Sequence, residues 1–521
     1  MYRRTFLRLS AAAVSAALGA AATQTTVVEA APPAPARPAA PNVVRGGNAP
    51  TIDKSLPAHP VLQAGAKTQP DKTVRVIVQR YDDRTTGARI AANVGARSRE
   101  DFRSAKSSTV ELSQRDIVAL ARQPGVRFVS PDARVLGTGN SYKDVSVRTL
   151  YPQEVGATSL WGGDGDNPEA RGKDIGVAVL DTGFSNHADF DKRLVQVKSN
   201  PLATNADDQY GHGTHVAGII AGSNLSGGYV GIAPEAKILG VKVTQDNGTC
   251  YMSDLLRGLE WVFDNRDKYK IRVLNLSCTT SIPESYKTNI LSAALEQLWF
   301  AGVTVVVSAG NFGMDSRFAA TQMHFAPAND PYLIAVGAVD SMGTTQAGDD
   351  TLLAYSSRGT TQDGIAKPDV VAPGRQIYST LASTTCAIAR QFPDRITDGK
   401  YIRLSGTSMA APIVAGTVAL LLQKYPKLTP NQVKAIITRS GVAFAGPTGA
   451  AKMISASAAL ALAKKGGYGA ANDGLVMSNW LTSGDGSVLG DNSSWDNSSW
   501  DNSSWDNSSW DNVNWNYGSW D

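Results

Sequence analysis

The sequence predicts an α/β body built on a doubly wound, mostly parallel sheet, with a small α+β domain in front of it. The first observation is alternation. Short β-branched runs (175–180, 238–243, 273–276, 303–307, 333–336) recur, with helical stretches between them (212–221, 253–263, 290–300). Strands that alternate with helices form parallel sheets covered on both faces. The second observation is composition. A chain of 521 residues with 42% apolar and 18% charged residues has room for several globular domains.

Taken in order, Arg3-Arg4-Thr5-Phe6-Leu7-Arg8 and the weakly hydrophobic Ala-rich run 9–22 read as an export signal over residues 1–30. Its twin arginine points to the twin-arginine type, with a general secretory signal as the alternative. The run is too short to cross a membrane as a helix, and no other transmembrane segment is expected. Residues 31–71, rich in Pro and Ala, read as an extended linker. Residues 72–136 read as the small domain: a strand at 73–79, a helix at 116–122 after Ser113, a turn at Pro124-Gly125 and a strand at 126–130. Residues 137–160, polar and rich in turn formers, suit a processing region that would hold the mature N-terminus. The body is placed at 161–465. Residues 466–521 form a low-complexity tail with Asp-Asn-Ser-Ser-Trp units. A period of five fits neither helix nor strand. The tail reads either as a disordered end with aromatic stickers or as a means of contact with cell wall or carbohydrate.

Charge is divided unevenly. Residues 1–136 carry 20 Lys+Arg against 10 Asp+Glu, whereas 137–521 carry 30 against 36. An acidic body argues against nucleic acid as its target. The two parts are expected to attract each other or to be separated by processing. The three cysteines (Cys250, Cys278, Cys386) allow at most one internal disulfide, so the core must supply the stability.

Four polar residues stand where chemistry could sit. Asp181 follows the first body strand, at the carboxyl end where open α/β sheets bind ligands, although a turn aspartate looks the same. His212 lies in Gly211-His212-Gly213-Thr214-His215-Val216-Ala217-Gly218, whose glycines allow close backbone approach. His212 and His215 could pair on zinc, but the glutamate of the HExxH pattern is missing. Asn311 follows the 303–307 strand and could aim its amide at a developing oxyanion. Ser408 precedes the apolar helical run 413–422. A hydroxyl there meets free N–H groups at a helix start, and serine is also a preferred N-cap.

The words around these residues resemble the active-site signatures of the subtilisin-like serine proteases. They are Val-Ala-Val-Leu-Asp-Thr-Gly (177–183), Gly-His-Gly-Thr-His-Val-Ala-Gly (211–218) and Gly-Thr-Ser-Met-Ala-Ala-Pro (406–412). The Asp, His, Ser order is that of subtilisin. The resemblance covers roughly 145–465. It implies a subtilisin-like fold behind a ferredoxin-like inhibitory propeptide at 72–136, and a secreted endopeptidase made as a self-inhibited zymogen. By the same resemblance, Ser408 is the nucleophile, His212 its base and Asp181 the group that orients the imidazole. Asn311 and the Ser408 N–H form the oxyanion hole, and His215 packs behind the site. The peptide would lie between Gly248-Thr249-Cys250 and Ser277-Cys278-Thr279, with Ser308-Ala309-Gly310 lining the primary pocket. The implied partners are polypeptide substrates and the chain's own propeptide.

No cofactor is required for this chemistry. A structural calcium is common in the family and stays open here: the corresponding loop 223–228 offers one amide and no carboxylate, backbone carbonyls could contribute, and no ligand is assigned. Cys278-Thr279-Thr280 replaces a frequent Leu-Gly-Gly, which implies a narrower or altered cleft. Cys250 and Cys278 are expected on opposite sides of the bound peptide, too far apart for a disulfide. Residues 384–398 look like an insertion. The Gly-x-Ser-x-Gly of an α/β-hydrolase esterase is absent at Ser408.

Overall fold

The computed structural model describes residues 53, 55–81, 85–137, 149–162, 169–313, 315–444, 446 and 451–481. The expected export signal, residues 138–148 of the processing region and the Trp repeats lie outside the described residues.

The body is a doubly wound sheet. Its strand order runs Thr351–Leu352, Ile334–Asp340, Thr304–Ser308, Ile271–Leu276, Gly176–Asp181, Lys237–Lys242, Leu194–Lys198. Val370–Pro373 also pairs with Ile334–Asp340. All these pairs are parallel except the one to the two-residue edge strand Thr351–Leu352. Every residue of Gly176–Asp181 is buried, as a central parallel strand covered on both faces requires. The chain leaves this strand to one side first and returns to build on its other side. Asp181 therefore ends the strand at the topological switch point, where such sheets open a crevice.

The helix Thr407–Lys424 runs through the core. It is long and apolar enough to span a membrane, but 89% of its apolar window is buried in the body. It is a core helix. It begins six residues before the apolar run that marks it in the sequence, because Thr407, Ser408 and Met409 already have helical geometry.

In front stands a four-stranded antiparallel sheet of order Arg97–Phe102, Ser107–Ser113, Thr73–Arg80, Val126–Pro131. With the helices Gly87–Ala92 and Ile117–Ala121 it forms the β-α-β-β-α-β ferredoxin-like arrangement. Three expected boundaries need correction. The linker placed at 31–71 ends earlier, because Pro60–Thr68 is a helix. Pro60 sits at its favoured first position, His59 Nδ1 accepts from the Val61 N–H at 3.2 Å, and Leu56, Ala58 and Leu62 join the small domain's core. The processing region placed at 137–160 ends earlier too, since Tyr151, Val155 and Ala157 belong to the core of the body. The tail placed at 466 starts too early: Met477, Trp480 and Leu481 are buried in that same core.

The small domain lies on the helices Met252–Asn265 and Ile290–Phe300. Ile77, Phe102 and Ala105 enter the body's core cluster. Arg257 pairs with Glu100, its Nε donating at 2.7 Å, and Gln297 Nε2 donates to the Ser104 carbonyl at 2.8 Å. Ser253, the first residue of the helical stretch read from the sequence, lies inside the helix, which starts at Met252. Its N–H and hydroxyl both donate to the buried Asp132 carboxylate, at 2.8 and 2.6 Å. The acceptor for this helix start thus comes from the small domain. The 475–481 segment completes the contact. Trp480 Nε1 donates to the Thr288 carbonyl at 2.6 Å. Phe128 lies 5.2 Å from the Trp480 ring and Arg127 stacks on it at 4.9 Å. Arg127 also donates to the Trp480 carbonyl at 3.1 Å.

Burial of His59 pulls its pKa down to about 4. A base whose folded pKa is depressed stabilises the fold above its unfolded value of about 6.5 and loses that contribution as pH falls toward 4. Acidification across this window is expected to destabilise the small domain by up to about 3 kcal/mol. Urea unfolding of the full chain, followed at several pH values, should show the loss in the wild type and a flatter profile in His59→Asn.

Candidate active site

Asp181 ends its strand and His212 opens the helix His212–Ala221. His212 Nδ1 and Asp181 Oδ1 are 2.7 Å apart, and both side chains are buried. The Thr182 N–H also donates to Asp181 Oδ1, at 2.7 Å. The neighbouring glycines allow this approach. A Cβ on Gly213 would come within 2.4 Å of the Gly183 carbonyl oxygen. Gly211 has a φ of 105°, and a Cβ there would meet Cys386 Sγ at 2.6 Å. Burial lowers the His212 pKa, but the charge and hydrogen bond of Asp181, helped by Asp208, outweigh it and leave the pKa raised. The base is thus readied to hold a proton.

Asp208 went unnoticed in the sequence. Its buried carboxylate accepts from Thr182 Oγ1 (2.8 Å), Gly211 N–H (2.7 Å), Thr214 N–H (2.8 Å) and Thr214 Oγ1 (2.7 Å). It ties the Asp181 strand end to the His212 helix start. The available signal was an aspartate a few residues before a helix, the place of a capping acceptor. His215 is buried with its pKa pulled down to about 3 by burial and then by the nearby His212. Its Nε2 lies 3.1 and 3.0 Å from the Ile377 and Ile402 carbonyls, so it donates there and is committed to packing. The zinc alternative finds no support in this geometry.

Ser408 lies in the first turn of its helix, after Gly406 at the N-cap position, and is not itself the cap. Pro412 is four residues further on and has no N–H, so the Ser408 carbonyl loses its helical donor. Ser277 replaces it. Its Oγ donates to the Ser408 carbonyl at 3.1 Å, while Ser408 Oγ donates to the Ser277 carbonyl at 3.1 Å. Asn275 Nδ2 donates in turn to Ser277 Oγ at 2.9 Å. The sequence marked Ser277 only for its backbone; the missed signal was a proline inside an otherwise helical word. His212 Nε2 is buried without a hydrogen bond in this arrangement.

Asn311 follows the strand Thr304–Ser308. Its Oδ1 accepts from the Thr407 N–H (3.1 Å) and Thr407 Oγ1 (3.0 Å), which turns its NH₂ away from Thr407. Ser308, Ala309 and Gly310 are buried beside it, with the Ala309 N–H bonded to the Val336 carbonyl at 2.9 Å. They do not line the cavity described next.

That cavity, of about 290 Å³, is lined by Asp181, His212, Gly248, Cys250, Ser277 and Cys278, with Tyr210 at its side. Gly248 and Thr249 form the turn before Cys250. The Gly248 N–H bonds to the Gln245 carbonyl and the Thr249 N–H to Asn247 Oδ1. A strand from the small domain's end, Arg134–Gly137, lies in the cleft, antiparallel to Cys250–Tyr251 on one side and to Cys278–Thr280 on the other. Val135 faces Cys250, and Gly137 faces Cys278. The two cysteines flank this strand and all three cysteines are free thiols. Burial pushes the Cys250 and Cys278 thiols far up, which keeps them protonated. Thr279 and Thr280 pair with Leu136 and Val135 of the strand Arg134–Gly137. Both side chains are buried, and their hydroxyls bond to the carbonyls of Ala326 and Ile282.

Residues 172–472 match the subtilase family, Peptidase S8. The chain belongs to the subtilase family. Serine protease AprX of Bacillus subtilis is 39% identical over 279 residues, 51% of this chain and 61% of AprX. Subtilisin E of Bacillus subtilis is 29% identical over 352 residues, 66% of this chain and 78% of that protein. Among solved structures, fervidolysin from Fervidobacterium pennivorans, a keratinolytic enzyme related to subtilisin, superposes with a TM-score of 0.57 at 26% identity. It is covered over 62% of its length by 76% of this chain. The chain thus spans about three fifths of AprX and of fervidolysin.

The loop 223–228 lies where the family resemblance places a calcium site. Asn224 Oδ1 already accepts from the Gly227 N–H (2.9 Å) and Ser226 Oγ (3.2 Å), and its Nδ2 donates to Tyr401 (2.6 Å). The one side-chain amide of the loop is therefore already engaged. No group of three or more His, Cys, Asp or Glu placed to hold a metal occurs among the described residues.

Two outcomes follow from this geometry. In Ser408→Ala protein, the His212 imidazole should titrate above about 6.5, and adding Asp181→Asn should bring the midpoint down, as read by histidine NMR. Ser277→Ala removes the hydroxyl that donates to the buried Ser408 carbonyl and should lower stability by about 1–3 kcal/mol in urea unfolding.

Proposed function

We propose that this subtilase is a serine endopeptidase, exported and made as a precursor inhibited by its own 72–136 domain. The observation that carries the reading is the peptide strand in the cleft. Arg134–Gly137 is paired on both edges and runs into the site where Asp181 and His212 meet. A cleft that adds a strand between two backbone segments takes its affinity from main-chain hydrogen bonds, so it suits polypeptides of varied sequence.

In the proposed reaction, Ser408 Oγ leaves the Ser277 carbonyl, passes its proton to His212 Nε2 and attacks the peptide carbonyl. Asp181 holds the imidazole by Nδ1 and stabilises its charged form. The Asn311 NH₂ and the Ser408 N–H receive the oxyanion. His212 then gives its proton to the leaving amine, and water enters by the same route in reverse to free Ser408. Cys278 and Cys250 remain protonated bystanders. The twin-arginine start and the basic first part support export of an intact precursor, cleaved between about 137 and 158.

Casein hydrolysis by the processed protein tests this reading. Ser408→Ala should abolish it and leave the precursor uncleaved. Asn311→Ala should reduce kcat about 10²–10³-fold, the loss known from the oxyanion asparagine of subtilisin. Equal activity in wild type and Ser408→Ala would sink the proposal.

A further inference from the structure

The insertion at 384–398 brings a cation to the cleft. The helix Ala387–Gln391 is bonded to the segment just before His212, with the Ala387 N–H on the Gln209 carbonyl and the Ile388 N–H on the Tyr210 carbonyl, both at 3.0 Å. Past it, Ile396–Thr397 pairs with Tyr401–Leu404, the strand that leads to Ser408. Arg395 sits between these two anchorages and lines the same cavity as His212 and Ser277.

Arg395 is only 6% exposed. Its Nε is buried without a hydrogen bond, and its guanidinium has no ion pair among the described residues. The Phe392 ring lies against it, 4.1 Å from Cζ. Stacking on that face fixes the plane and leaves the N–H edges as the part able to bind. An Nε–H without an acceptor in a buried place is costly, and a carboxylate is the planar anion that matches the guanidinium fork. Burial, against the pull of Asp394, also weakens its hold on its own proton. The strand now in the cleft, Arg134-Val135-Leu136-Gly137, carries no carboxylate to meet it.

We propose that Arg395 is a specificity-determining residue that selects an Asp or Glu side chain of the substrate close to the scissile bond. This rests on the endopeptidase reading above. The preferred substrates are then polypeptides with an acidic residue at one fixed position of the cleft, a residue type that Arg134–Gly137 does not contain.

The test uses the processed full-length protein and a set of internally quenched peptides. Each peptide carries Glu, Gln or Lys at one position flanking the cleaved bond. For one position, kcat/KM for Glu should exceed that for Gln about tenfold or more, mainly through KM. Arg395→Gln should bring this ratio close to one, Arg395→Lys should keep part of it, and Arg395→Glu should favour the Lys peptide. Thermal unfolding of each variant separates misfolding from lost selection. Cleavage without an acidic preference at any position, or a preference unchanged in folded Arg395→Gln, overturns the proposal and leaves the endopeptidase reading standing. No cleavage of any peptide by processed wild type would instead overturn the endopeptidase reading.

Discussion

Three neighbouring parallel strands end at one level, and the site depends on that alignment. Gly176–Asp181, Ile271–Leu276 and Thr304–Ser308 lie side by side in the sheet. The chain just past their ends supplies Asp181, Ser277 and Asn311. Their apolar residues are buried on both faces of the sheet. A slip of one residue would turn a buried set toward the wrong layer, so core packing fixes the register and the register fixes the site. The precision of the polar groups is thus secured by residues that never touch a substrate.

A second constraint comes from the helix that carries Ser408. A proline in its second turn would normally weaken a helix by removing a bond. Here the freed carbonyl becomes the handle by which the Ile271–Leu276 strand end grips the serine through Ser277. Asp208 does the same for the other half, taking four donors from the segments that carry Asp181 and His212. Both devices convert a local defect, a missing donor or a buried carboxylate, into a link between distant segments.

Much of this was legible in the sequence. The β-branched runs located five strands of the body, because a strand buried on both faces must be apolar along its whole length. The three signature words carried Asp181, His212 and Ser408 to one fold. What stayed hidden depends on pairings across long stretches of chain. The role of Ser253 stayed hidden because its acceptor, Asp132, is 121 residues away. Ser277 looked like cleft backbone because its partner carbonyl is 131 residues on. Arg395 gave no signal in the sequence, because only the fold of the 384–398 insertion brings it to the cavity of His212. The Pro60–Thr68 helix was lost in a Pro- and Ala-rich composition whose few apolar residues happen to share a face.

The grip of Arg127 on Trp480 joins residues 353 positions apart. Such a contact cannot exist while the chain is still being made, since the acceptor is added only after the whole body. The last fastening of the small domain is therefore a report on completeness. A truncated product would hold its blocking strand by the sheet and helix contacts alone, and only a finished molecule carries all of its fastenings at once.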